Sequence, residues 1–156
     1  MNQKIKNIGI RLGVLLAAVL VLINVGIYFY DYKIMNSIVN GFVLILVILL
    51  FGLLSTVIAK SKIGGFITFK EAFTPYILVI TIGVLISTIV QFLIYGVFDP
   101  ATGELLKQDY IALVADQMNK FNVAKDQADI SIQAAKESNP YALGTLLTSG
   151  AIRIAM

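Results

Sequence analysis

At 156 residues, with 58% hydrophobic and only 13% charged side chains and a mean hydropathy of +0.88, the chain is one domain's worth and far more apolar than a soluble globule. It has no cysteine and no histidine, which excludes disulfides, thiolate metal sites, cysteine nucleophiles and every histidine-based mechanism. The net charge of +3 comes from basic residues placed beside apolar runs, so it speaks for a membrane and against nucleic acid.

Three stretches carry no charge at all: residues 12–30, 34–59 and 72–98. Each is long enough to cross a bilayer, because about 20 apolar residues at ~1.5 Å rise span the hydrocarbon core. The first follows Lys4, Lys6 and Arg11 and could mimic a secretory signal. It runs longer than a signal's apolar core and lacks a small-residue cleavage site, so an uncleaved span fits better. Tyr28, Tyr30 and Tyr32 mark its far end as an interfacial belt. Asp31 and Lys33 then make a very short loop, which returns the second span antiparallel beside the first.

The second span ends at Lys60-Ser61-Lys62, before the turn signal Gly64-Gly65. Thr68 and Glu71 have the spacing of a capping box and predict a helix start, with Phe66, Phe69 and Phe73 facing lipid or protein. Pro75 falls in the second turn of that helix, where its missing N–H and its ring predict a bend. Asp99-Pro100 predicts the exit from the third span, with a turn over Ala101, Thr102 and Gly103.

Beyond it the chain turns polar. Leu106, Tyr110, Val114, Met118 and Phe121 form one apolar stripe on a predicted helix, and a second helix is predicted over 124–137 with Ala128, Ile132 and Ala135 on one face. Three placements are open to the stripe: on the membrane surface, against the second helix as a hairpin, or as a docking face for a partner; the hairpin is preferred, and sparse lysine on the polar face weighs against the membrane surface. Asp109, Asp116, Asp126 and Asp129 lack a calcium-loop pattern and read as a solvated face. The last stretch, 141–156, is apolar but too short for a full span and carries Arg153; it reads as the beginning of a fourth helix whose remainder is missing.

Within the spans the polar residues are few. Gly13, Ala17 and Asn24 share a face of the first, and Gly83, Ser87 and Gln91 recur every four residues on the third. Such small-residue ladders let helices approach closely in lipid, and Asn24 and Gln91 fall at similar depth, so a hydrogen bond between their amides is predicted. No acid, lysine or arginine lies in the middle of a span, which argues against ion-coupled transport. Lys4, Lys6, Arg11, Lys60, Lys62 and Lys70 gather at one end, which the positive-inside rule places in the cytoplasm, with 99–140 outside.

The stretch Gly64-Gly65-Phe66-Ile67-Thr68-Phe69-Lys70-Glu71-Ala72-Phe73, the Asp99-Pro100 exit and the charged helical region closing at Asn139-Pro140 together resemble a family of small bacterial membrane proteins, common in the Bacteroidota and defined only as a domain of unknown function. The resemblance implies four transmembrane helices with a charged helical insertion before the last, and no catalytic residues to carry over. The expected fold is an all-α transmembrane bundle: three spans in 1–98, a helical hairpin in 99–140 and the start of a fourth helix in 141–156. The expected function is a non-catalytic inner-membrane protein, an accessory or scaffold subunit whose partners are the bilayer and other membrane subunits or itself. The alternative is a small oligomeric transporter or lipid-handling protein. No cofactor or metal is expected.

Overall fold

The computed structural model describes residues 3–140 and 142–155; the side chain of Arg153, weighed above, lies outside what is described. The chain is an all-α membrane bundle. In order it forms α1 (Gln3–Tyr30), a 3₁₀ helix (Tyr32–Asn36), α2 (Ile38–Lys62), α3 (Phe69–Phe92) running on as a π-helix (Leu93–Phe98), α4 (Pro100–Lys120), α5 (Lys125–Glu137) and α6 (Leu143–Ala155). Among the described residues, three helices are long and apolar enough to cross a membrane: Gln3–Tyr30, Ile38–Lys62 and Phe69–Phe98. At 13 residues α6 spans about 20 Å. It packs on α3.

The helix starts follow their caps. Asp31 accepts from Lys33 N at 3.0 Å to open the 3₁₀ helix, and Ser37 accepts from Val39 N at 3.3 Å to open α2. At α3 the capping box is complete: Thr68 Oγ1 accepts from Glu71 N at 3.3 Å, while Glu71 Oε2 accepts from Thr68 N at 3.1 Å. α2 ends where Gly64 and Gly65 take φ of 96° and 91°, and Gly65 N donates back to Lys60 O at 3.0 Å. That is the closure of a Schellman motif, which needs a left-handed residue. Phe66 and Phe69 stand on the surface, and Phe69 stacks on Phe73 at 5.6 Å.

Two expectations are corrected. Ala101, Thr102 and Gly103 are not a turn: Asp99 is the N-cap and Pro100 the first helical residue of α4, a position where proline's missing N–H costs nothing. Phe121 is not on that helix, which stops at Lys120; Asn122 takes φ of 49° and breaks the run. Pro75 is buried, and α3 continues past it without interruption. Thr56 Oγ1 of α2 reaches the Ala72 carbonyl in that same turn at 3.1 Å.

α1 and α3 form the main interface and run parallel. Contacts climb both helices together, from Gly9 against Leu78 through Gly13 against Ile82 and Leu16 against Gly83 to Asn24 against Gln91. α2 runs antiparallel to both, with Gly52 against Tyr76 at one end and Asn40 and Leu44 lining one cavity with Gln91 at the other. The core is Leu16, Leu20, Leu44, Ile48, Val79, Ile80 and Val84. α5 packs on α4.

Candidate functional site

Two constructions stand out at the end of the bundle where α4 begins. The first is a polar chain inside the spans. Asn24 Nδ2 donates to Leu20 O at 2.8 Å and to Ser87 Oγ at 3.0 Å, and Gln91 Nε2 donates to Asn24 Oδ1 at 2.9 Å. All three side chains are buried. Gln91 and Asn24 sit about 10 Å inward from the ends of their spans. In the first turn of α2, Asn40 Nδ2 donates to Met35 O at 3.2 Å. The amide pair expected from spacing is therefore formed, with Ser87 as its third member. Gly13, Ala17 and Gly83 lie in the same α1–α3 seam: a Cβ on Gly13 would stand 2.9 Å from Ile82 Cβ, and one on Gly83 2.5 Å from Leu16 Cδ2.

Cavities border this chain. One of about 10 Å³, at the lower limit for a single water, is enclosed by Asn24, Ser87, Thr88 and Gln91. A second of about 280 Å³ lies between α2, α3, α4 and α6 and touches Asn36, Asn40, Gln91, Tyr110, Thr145 and Ser149.

The second construction mounts α4 on the span ends. Asp99 Oδ2 accepts from Tyr28 Oη at 2.9 Å and from Thr102 Oγ1 at 2.6 Å, and Oδ1 accepts from Thr102 N at 3.1 Å. The Thr102 hydroxyl, then its N–H, then the Tyr28 hydroxyl hold the Asp99 carboxyl below its usual range, because each stabilises the anion. One turn on, Asn36 Nδ2 donates to Leu106 O at 2.9 Å. Leu106 is wholly buried against Tyr95, with Tyr28, Tyr32, Met35 and Ile94 around them. Gly103 faces the Tyr95 carbonyl so closely that a Cβ would collide with it. The residue five on from Tyr95 is Pro100, which has no N–H to offer that carbonyl.

The predicted docking stripe is thus divided. Leu106 is used up inside the chain. Val114 and Met118 are half-buried, Tyr110 is 39% exposed and Phe121 is 78% exposed. Leu113 on α4 and Ile130 on α5 are exposed as well. Of the acids, Asp116 pairs with Lys120 at 2.6 Å on the surface. Asp109 Oδ2 is buried without a partner among the described residues, beside a groove of about 400 Å³ that also touches Lys33 and Asp116. Among the described residues no group of three acids is placed to hold a metal ion.

Sequence spacing missed Gly9, Gly52 and Gly103, which turn out to be close-approach glycines: Gly9 against Pro75 and Leu78, Gly52 against the Tyr76 ring. Gly9 was legible in principle, since it continues the four-residue row from Gly13.

Neither the curated proteins nor the solved structures offer a match to this chain. A family of proteins of unknown function, DUF4199, matches over residues 9–155, and the chain belongs to that family.

Proposed function

We propose that the protein is a non-catalytic subunit of a bacterial inner-membrane assembly, an accessory or scaffold component that docks its partner through α4 and α5. The observation that carries this reading is the mount of α4. Tyr28, Asn36 and the Tyr95–Leu106 contact pin the base of that helix to the first span, the 3₁₀ helix and the end of the third span, while Leu113, Phe121 and Ile130 further along stay exposed. A docking surface held rigid before the encounter loses less freedom on binding. The charge distribution supports an orientation. With α1 and α3 parallel and α2 reversed, Lys4, Lys6, Arg11, Lys60, Lys62 and Lys70 share one end, which is cytoplasmic by the positive-inside rule and leaves α4 and α5 on the periplasmic side.

The test is copurification from native membranes in mild detergent. A partner in stoichiometric amount is expected with the natural chain and is expected to be lost from Phe121→Glu/Ile130→Glu, whose changes lie on exposed positions and leave the fold intact. A chain that purifies alone, or a partner retained by the double variant, overturns the reading.

A second reading, a small oligomeric transporter or lipid-handling protein, is favoured by the cavity that reaches the buried amides between α2, α3 and α6.

A further inference from the structure

We infer that the 280 Å³ cavity is a binding site for a small neutral polyhydroxylated molecule, either a free polyol or the sugar or glycerol headgroup of a lipid. This deepens the second reading above by giving it a ligand class, and it holds equally for a scaffold, since binding requires no transport.

The walls are polarised by a sequence of forced orientations. The Leu20 carbonyl can only accept, so the Asn24 amide nitrogen must face it. Asn24 Oδ1 is thereby turned to α3, where it can only accept, and it fixes Gln91 with Nε2 inward. Gln91 Oε1 then faces away from Asn24, and no hydrogen-bond donor reaches it among the described residues. Asn40 repeats the arrangement from α2: its Nδ2 is held by the Met35 carbonyl, and among the described residues no donor reaches its Oδ1. The hydroxyl of Thr88, one turn below Gln91, makes no hydrogen bond among the described residues either. These residues are 8%, 6% and 4% exposed. Gln91 and Asn40 line the large cavity, and Gln91 and Thr88 the small one that adjoins it. Gln91 and Asn40 thus line one cavity from different helices, each with an amide oxygen that no donor among the described residues reaches and that a ligand hydroxyl would satisfy.

The rest of the lining narrows the chemistry. Among the described residues that line the cavity there is no acid, lysine or arginine, so these offer hydrogen bonds and no counter-charge. Thr145 and Ser149 bring hydroxyls from α6, and Tyr110 brings one from α4. Met35, Leu44 and Leu146 supply an apolar wall, as the C–H face of a sugar ring requires. The volume is at the small end for ligand pockets and suits a single ring. α3 also relaxes into π-helical turns just beyond Gln91, a departure that often accompanies binding sites.

The test uses the full chain with ¹³C-methyl methionine. Met35 Sδ lies 3.9 Å from Gln91 Nε2 and 4.0 Å from Asn40 Nδ2, so its methyl reports on the cavity, while Met118 on α4 serves as the control. The probes are myo-inositol added to micelles, and nanodiscs containing glucosyl diacylglycerol compared with nanodiscs of phosphatidylglycerol alone. A saturable shift of the Met35 signal is expected with Met118 unmoved. At least tenfold weaker binding is expected in Gln91→Leu, and also in Ser149→Leu, which fills the cavity from α6 and leaves the amide chain whole. Saturation by inositol alone assigns a free solute, by the glycolipid alone a headgroup, and by both the shared chemistry. No saturable shift from either probe, a shift unchanged in Ser149→Leu, or a response to sodium chloride without one to either probe overturns the inference. Because the readout is ligand binding by the isolated chain, its failure says nothing about partner docking.

Discussion

Gln91 on α3 gives an amide hydrogen to Asn24 on α1 at 2.9 Å, across 67 residues of sequence and within a seam where glycines and aliphatics pack below it and Ser87 shares the polar chain. In lipid such a bond has no hydrophobic competitor to lean on; helices meet there through close packing and a few polar contacts. The glycines and the amides therefore do different jobs. Gly9, Gly13 and Gly83 set the distance between α1 and α3, and the amides set their register.

The amide pair predicts a specific double-mutant cycle. Asn24→Leu strands Gln91, and Gln91→Leu leaves Asn24 Oδ1 without its donor, so each single change is expected to cost about 1–3 kcal/mol. Removing both leaves no stranded amide at either position, and the double variant is expected to cost less than the sum. The coupling should be about 0.6–1.7 kcal/mol, the range for hydrogen bonds between membrane helices. Reversible unfolding in bicelles checks it; simple additivity would show that the two side chains act separately.

The glycines predict opposite signs at similar-looking positions. Gly103→Ala drives a Cβ into the Tyr95 carbonyl, a backbone atom that cannot swing aside. α4 is expected to lose its seat, with faster hydrogen exchange along Pro100–Lys120. Gly26 in α1 and Gly41 in α2 have open space where a Cβ would go, so alanine there is expected to be neutral or to stabilise by up to about 1 kcal/mol through helix propensity. Exchange rates and melting of the three variants separate the cases.

Much of this was legible in the chain itself. Uncharged runs gave the spans, Thr68 and Glu71 gave the start of α3, and four-residue spacing placed Asn24 opposite Gln91. What stayed hidden depended on contacts between distant segments. Leu106 looked like part of a free stripe because its period is helical; nothing local says that Tyr95 and the 3₁₀ helix cover it. Ala101, Thr102 and Gly103 looked like a turn because proline and glycine flank them, yet proline at a first helical position and glycine under a carbonyl both favour the helix found. The cavity could not be anticipated either, since its walls come from the 3₁₀ helix and from α2, α3, α4 and α6.

Asp99 predicts a pH dependence. Its carboxyl is held below the ordinary value of 3.8 in the folded chain, chiefly by Thr102 and then by Tyr28. A depressed acid contributes stability that is present above its unfolded value and is lost as pH falls through the folded one. The base of α4 is thus expected to stay protected through the neutral and mildly acidic range and to loosen only below that ordinary value. Asp99→Asn keeps a capping oxygen for Thr102 N and removes the titration, so its loosening should no longer follow pH. Exchange of the Thr102 amide across an acid titration is the measurement, and a natural chain whose Thr102 protection ignores pH would sink the account.

The divided stripe on α4 and its following turn predicts that equal-looking apolar residues have unequal weight. Leu106 is fully enclosed by Tyr95 and its neighbours, so Leu106→Ala removes buried methyl groups and leaves a hole that a seam of tyrosines closes poorly. The cost is expected at about 2–5 kcal/mol, the range for such truncations in packed cores. Phe121 is 78% exposed and lies past the end of the helix, so Phe121→Ser should change stability by no more than about 0.5 kcal/mol. Its effect belongs to binding instead: the partner lost from Phe121→Glu/Ile130→Glu should also be retained less well by Phe121→Ser. Measuring unfolding and copurification on the same two variants separates a residue that holds α4 on the spans from one that α4 presents to a neighbour. Equal destabilisation by both changes would mean that Phe121 packs within the chain and is no docking residue.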